Sequence, residues 1–295
     1  MNTRGRLISG LVTTVMALAG FVTAGTLPAA AAPSTVQYVA LGDSYAAGVG
    51  ATGDVGDCGR TDNGYPELLG AQGRIELLAN VACFGATTTD VANLVSPLNP
   101  LNPLNEDIRL VTLTVGGADL GFREVLTKCS VPGTTDCGVA VSDALKLLPK
   151  LESDLTNLYT EIAAAAPEAR IVVTGYPLLF RDVENPVSGG FSLDVINAVN
   201  NGGVALNKTI EDAVAAANED GNIDYVDVTE AFERHGVLLR ITGQDPDAFI
   251  HSPLILIRGT PQPDPAAYHP NNNGYHAYAD AISAALPRGW LKPLA

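Results

Sequence analysis

Five short apolar runs, each stopping at a residue that turns the chain, limit what this sequence can fold into. They are Val36–Gly42 (VQYVALG), Arg74–Asn80 (RIELLAN), Arg109–Val115 (RLVTLTV), Arg170–Thr174 (RIVVT) and Ile223–Val228 (IDYVDV). Runs this short, rich in β-branched and aromatic residues and bounded by turn formers, read as buried strands. Between them lie helical stretches. From Val141 to Ala166, Leu145, Leu148, Leu151, Leu155, Leu158 and Ile162 recur every three or four residues, the spacing of one amphipathic helix. A second long helix is expected from about Ser192 to Asn218, a short one through Pro66–Gly70, and a last one from about Gly274 to Leu286. Strands alternating with helices predict a right-handed, doubly wound parallel sheet of about five strands, in one domain.

The first 31 residues stand apart from that pattern. Arg4 and Arg6 precede an apolar stretch from Leu7 to about Thr26, and Pro28-Ala29-Ala30-Ala31-Ala32 offers the small residues of a cleavage site. That is the layout of an export signal, so residues 1–31 are expected to be removed and residues 32–295 to form the mature, secreted, extracellular domain. A membrane anchor is the alternative, but the apolar core is short and runs straight into the cleavage site. Loss of the two arginines takes the net charge from -15 to -17, a balance that argues against nucleic acid and anionic membranes as partners. A monomer without a stable membrane anchor is the expectation. Cys58, Cys83, Cys129 and Cys137 match no zinc spacing, so two disulfides are expected and no metal or other cofactor. Three pairings are possible. Cys58–Cys83 with Cys129–Cys137 is favoured, because the second closes a short Pro/Gly-rich loop and the first ties the loop after strand one to the end of strand two.

The first strand delivers Asp43-Ser44 to the carboxyl edge of the sheet, where open parallel sheets bind ligands. The plain reading is that Asp43 or Ser44 caps the next helix. Asn80 to Gly85 and Gly116 to Asp119 converge on the same edge. A serine becomes a nucleophile only with a base in hydrogen-bond reach, and His269, in a polar loop leading into the last helix, is the best candidate. His235, His251 and His276 read as surface or packing residues. Gly48-Val-Gly50-Ala-Thr-Gly53 fits a dinucleotide-binding pattern, but its first glycine lies well past the strand end at Gly42. The run Leu98–Asn105, with alternating prolines, reads as a loop without chemistry.

Taken together, Ala40-Leu-Gly-Asp-Ser-Tyr45, Asn80-Val-Ala-Cys-Phe-Gly-Ala86, Thr112-Leu-Thr-Val-Gly-Gly-Ala-Asp-Leu-Gly-Phe122, Gly175-Tyr-Pro177 and His269-Pro-Asn271 resemble, in order and spacing, the SGNH or GDSL hydrolases, and within them the secreted actinobacterial lipases and esterases. The resemblance implies a single-domain, flavodoxin-like three-layer α/β sandwich. It also implies Ser44 as nucleophile and, through its N–H, an oxyanion donor, Gly85 N–H as the second donor, and His269 as general base. The favoured disulfide pairing fits this group, whose members often carry a third bridge absent here. Two departures stand out. Ala118 occupies the position of the family's oxyanion asparagine, and Ala266 that of the acid three residues before the histidine. Asp264 or the Ala266 carbonyl is left to orient His269. The expected function is hydrolysis of carboxylic esters of lipid or short acyl type through a Ser44 acyl-enzyme. The competing reading is a non-catalytic secreted binder of esters or glycans on a decayed site.

Overall fold

The computed structural model describes residues 35–53, 55–129, 136–181, 192–237, 246–257, 260–263 and 266–292. The proposed leader and Asp264 lie outside the described residues. All five expected strands are present: β1 (Val36–Gly42), β2 (Ile75–Asn80), β3 (Leu110–Thr114), β4 (Arg170–Thr174) and β5 (Ile223–Val226). They form a wholly parallel sheet in the order β2-β1-β3-β4-β5. The chain moves from β1 to one neighbour and then back across to the other. That reversal opens a crevice at the carboxyl ends of β1 and β3, where the predicted motifs lie.

The helices are α1 (Ser44–Ala47), α2 (Tyr65–Gly70), α3 (Thr88–Val95), α4 (Phe122–Cys129), α5 (Asp136–Leu145), α6 (Leu148–Ala165), α7 (Leu193–Ala217), α8 (Thr229–Phe232) and α9 (Asn272–Ala285). They fall into two packed groups: α3, α6 and α7, with α5 against α7, and α2 with α9, joined by α8. The core runs through the sheet, with β3 buried at every position. Polar side chains within the sheet are paired: Tyr38 Oη bonds Thr112 Oγ1 at 2.6 Å and Tyr65 Oη bonds Thr114 Oγ1 at 3.0 Å. Such pairing removes the cost of burying a bare hydroxyl.

Three expectations are corrected. The single helix from Val141 to Ala166 is two, α5 and α6, parted at Lys146-Leu147. Pro149 has no N–H to give the Leu145 carbonyl, so it ends one helix and sits in the first turn of the next. The last helix starts two residues before Gly274, because the Asn271 side chain accepts the Gly274 N–H at 3.1 Å and caps it. A two-stranded antiparallel hairpin, β6 (Leu254–Ile257) and β7 (Thr260–Pro263), was not expected. The Leu98–Asn105 run is a loop, folded by Asn99, Asn102 and Asn105, each of which accepts a backbone N–H two residues on.

Candidate active site

Gly42 sets the geometry of the serine. Its φ is 129°, and a Cβ there would meet the Thr114 carbonyl at 2.2 Å, so only glycine lets β1 end this close to β3. The Asp43 N–H then donates to that same carbonyl at 2.8 Å. The Asp43 carboxylate accepts the Tyr45 N–H at 2.9 Å and caps α1. The capping role therefore falls to Asp43. Ser44, first residue of the helix, keeps its hydroxyl, and His269 Nε2 lies 2.8 Å from its Oγ.

His269 Nδ1 lies 3.0 Å from the carbonyl of Ala267. The Ala266 carbonyl, expected behind the ring, also draws on the imidazole and accepts the His269 backbone N–H at 2.9 Å; the chain turns tightly there, with Tyr268 in the left-handed region at φ 65°. That turn is held from several sides. Tyr45 Oη donates to the Tyr268 carbonyl at 2.6 Å. The His251 N–H donates to the His269 carbonyl at 2.9 Å, and the Tyr268 N–H to the His251 carbonyl at 3.1 Å. The His251 ring reaches the Gly50 carbonyl through Nε2 at 2.8 Å. Gly50, with φ 95°, has room for no side chain: a Cβ would meet the Pro270 carbonyl at 2.6 Å. Of the glycines in the dinucleotide-like stretch, Gly50 thus serves close approach to the histidine loop, while Gly48 meets Thr61 and Gly64. His235 stacks on Phe249 at 3.7 Å, and His276 is exposed on α9.

The segment after β2 is fastened across the site. Cys58 and Cys83 are disulfide-bonded, as are Cys129 and Cys137. The Cys83 N–H donates to the Gly42 carbonyl at 3.0 Å, and the Phe84 N–H to the Cys58 carbonyl at 2.8 Å. Gly85 follows with φ 78° and open space beside it. Among the described residues neither the Ser44 nor the Gly85 N–H has an acceptor, so both are left for a ligand. Ala118 adds no polar group. Asp119 turns away from the serine and holds the start of α3, accepting the Thr88 hydroxyl at 2.6 Å and its N–H at 3.1 Å.

Tyr176, quoted above only as part of a motif, is the hub behind the serine. Its hydroxyl donates to Asp43 at 2.5 Å and accepts the Gly117 N–H at 3.0 Å, while Asn207 bonds its backbone at both N–H and carbonyl. Burial pushes the Asp43 carboxyl up to about 7, against the opposing hydrogen bonds from Tyr176 and Tyr45. Burial acts the other way on His269, holding its imidazole down to about 4 against the pull of the Ala267 and Ala266 carbonyls. The ring is therefore neutral at ordinary pH, with Nε2 free to take a proton once Nδ1–H is given to Ala267. At the rim, Phe84 is 40% exposed, with its ring centre 5.9 Å from that of His269, and the Arg123 guanidinium stands 5.6 Å above the Phe84 ring. Among the described residues no cluster of three or more His, Cys, Asp or Glu could hold a metal ion, and no helix is long and apolar enough to cross a membrane.

Residues 40–277 match the GDSL-like lipase/acylhydrolase family. A lipase of Streptomyces rimosus is 31% identical over 269 residues, 90% of each chain. The crystal structure of phospholipase A1 from Streptomyces albidoflavus NA297 superposes with a TM-score of 0.72 at 33% identity, covering 86% of this chain and all of the other. That of the extracellular lipase from Streptomyces rimosus gives 0.71 at 30% identity, covering 85% and all.

Proposed function

This chain belongs to the GDSL-like lipase/acylhydrolase family and is a carboxylic ester hydrolase; from that premise we propose that it cleaves acyl lipid esters outside the cell through a Ser44 acyl-enzyme. The observation that carries the reading is the 2.8 Å contact between Ser44 Oγ and a neutral His269 Nε2. As Oγ attacks the ester carbonyl, Nε2 takes its proton and then passes it to the departing alcohol. Charge building on the carbonyl oxygen falls to the N–H groups of Ser44 and Gly85. Water then repeats the sequence on the acyl-enzyme. The Ala267 carbonyl does the orienting work that a carboxylate does in a triad, holding Nδ1–H and with it the tautomer.

The lipid class follows from the relatives, a lipase and a phospholipase A1, and suits the exposed Phe84 ring beside the histidine. Export follows from residues 1–31, and mass spectrometry of secreted protein should find a mature chain starting near residue 32. The mature domain is proposed to act as a monomer without a membrane anchor. A fluorophosphonate probe should label the purified mature protein at Ser44 and nowhere in Ser44→Ala. Absence of labelling in a folded wild-type protein would favour a binding protein without catalysis.

A further inference from the structure

Acidic residues outnumber basic ones 32 to 17 in this chain, so an arginine at the site mouth has every opportunity to pair. Arg123 does not. Lys128, Lys146, Lys150, Arg170 and Lys208 each meet a carboxylate, and Arg60 and Arg109 give a guanidinium N–H to a backbone carbonyl, whereas among the described residues the Arg123 guanidinium meets neither. Its position is also unfavourable for its own helix, since it is the second residue of α4, where the positive end of the helix repels a cation. The guanidinium instead stands over the exposed Phe84 ring, which lies against His269. The charge is felt by the His269 imidazole, which it helps keep unprotonated. Nor is the placement loose: α4 buries Leu126 and is bonded to α5 through Cys129–Cys137. A cation costly to its helix, without a carboxylate among the described residues and held on a fixed element beside the reacting groups, is matched to an anion that arrives with the substrate.

We propose that Arg123 reads a phosphate a few bonds from the scissile acyl ester, which makes the preferred substrate a glycerophospholipid with a zwitterionic headgroup rather than a neutral glyceride. This rests on the ester-hydrolase reading of Ser44 and His269 and goes beyond it. A guanidinium meets a phosphate with two parallel N–H bonds, and the Phe84 face beneath it takes the glycerol and acyl carbons. A net charge of -15 repels surfaces of anionic lipid, which leaves phosphates whose charge is balanced within the headgroup.

The test compares the mature enzyme with Arg123→Gln and Arg123→Lys on phosphatidylcholine and on diacylglycerol of the same acyl chains, each in neutral-detergent micelles. The kcat/KM ratio of phosphatidylcholine to diacylglycerol should fall about tenfold in Arg123→Gln, the loss of one charge-assisted contact, chiefly through KM. Arg123→Lys should recover part of it. A ratio that does not move, or equal losses on both substrates, overturns the proposal and makes Arg123 a prop for Phe84. A wild-type enzyme that turns over p-nitrophenyl butyrate and diacylglycerol but not phosphatidylcholine overturns it too. Failure on every ester would instead overturn the hydrolase reading beneath it.

Discussion

The serine arm and the histidine arm of this site are built in different ways. Ser44 is fixed from directly behind, by β1, by the Gly42–Thr114 approach and by the Asp43 cap with Tyr176 beyond it. His269 has no carboxylate bonded to its ring among the described residues. It is held by carbonyls and by Tyr45, His251 and Gly50, all distant in sequence. One arm keeps a buried acid whose carboxyl is raised to about 7; the other keeps a base lowered to about 4. Both shifts come chiefly from desolvation, so the same dry crevice suppresses charge in each arm. A carboxylate behind the imidazole is therefore one way of orienting it, and a well-placed carbonyl is another.

The largest expected effect comes from removing the nucleophile. Ser44→Ala should cost on the order of 10⁴-fold or more in kcat on a p-nitrophenyl ester while circular dichroism stays unchanged. Residual turnover above a tenth of wild type would place the nucleophile elsewhere and dissolve the two-arm description. Next is Ala118→Asn, which supplies a side-chain amide where the site has two backbone donors. It should raise kcat by roughly a hundredfold with little change in KM, since the new donor acts on charge that develops in the transition state. An unchanged or lower kcat in folded protein would show that a third donor is not what limits the rate.

The arms should also part in their response to pH. Asp43 binds its proton more tightly folded than unfolded, so its contribution to stability is complete below about 3.8 and is lost as pH rises through about 7. His269 binds its proton less tightly folded, so stability is lost as pH falls from about 6.5 through about 4. In wild type the two slopes oppose each other between those values. Asp43→Asn keeps an acceptor for the Tyr45 N–H and removes one slope. Its unfolding free energy, from urea titrations, should climb between pH 4 and 6.5 by on the order of a few kcal/mol. A profile parallel to that of wild type would mean that Asp43 does not titrate there.

Tyr45→Phe is the finer cut. It removes the hydroxyl bonded to the Tyr268 carbonyl, leaves the ring in place, and should lower kcat about tenfold by loosening the histidine turn. An unaffected kcat would mean that the His251 and Gly50 contacts alone hold the loop. The smallest effect is expected at Asp264, which lies outside the described residues. With the Ala267 carbonyl already on Nδ1, Asp264→Asn should cost tenfold or less, and a thousandfold loss would make it the missing acid.

How much of this was legible in the sequence depended on how local each signal is. The strands were readable because runs such as RLVTLTV, buried along their whole length, leave few alternatives. The break between α5 and α6 was overlooked although Pro149 announces it, because the leucine spacing continues in step across it. Ser44 and His269 were found through short motifs, and the structure brings them together. The sequence does not mark Tyr45 or Arg123, and it offers Gly50 only as part of a dinucleotide-like pattern and His251 only as a surface or packing residue, since their partners lie far along the chain: Tyr45 bonds a carbonyl 223 positions away, and His251 one 201 positions away. Next to a serine, Tyr45 reads as an ordinary core aromatic. Tyr176 carried a usable signal, because a tyrosine between a strand-end glycine and a proline is poorly placed for the core alone. The part that Ala267 plays beside Ala266 depends on the left-handed Tyr268, which sequence does not announce.

The span between the two arms also sets the order in which the protein acquires its activity. Cys58 and Cys83 are 25 positions apart and Cys129 and Cys137 only 8, whereas Ser44 and His269 are separated by 225. Synthesis runs from the amino end, so the serine, all four cysteines and three strands of the sheet are in the chain long before the histidine. Before the chain reaches His269, the Ser44 hydroxyl lacks the imidazole it meets in the folded protein. A chain cut before His269 would keep the serine and lack the imidazole that meets it. On the proposed reading, the distant histidine ties ester hydrolysis to a chain that has been made almost to its end.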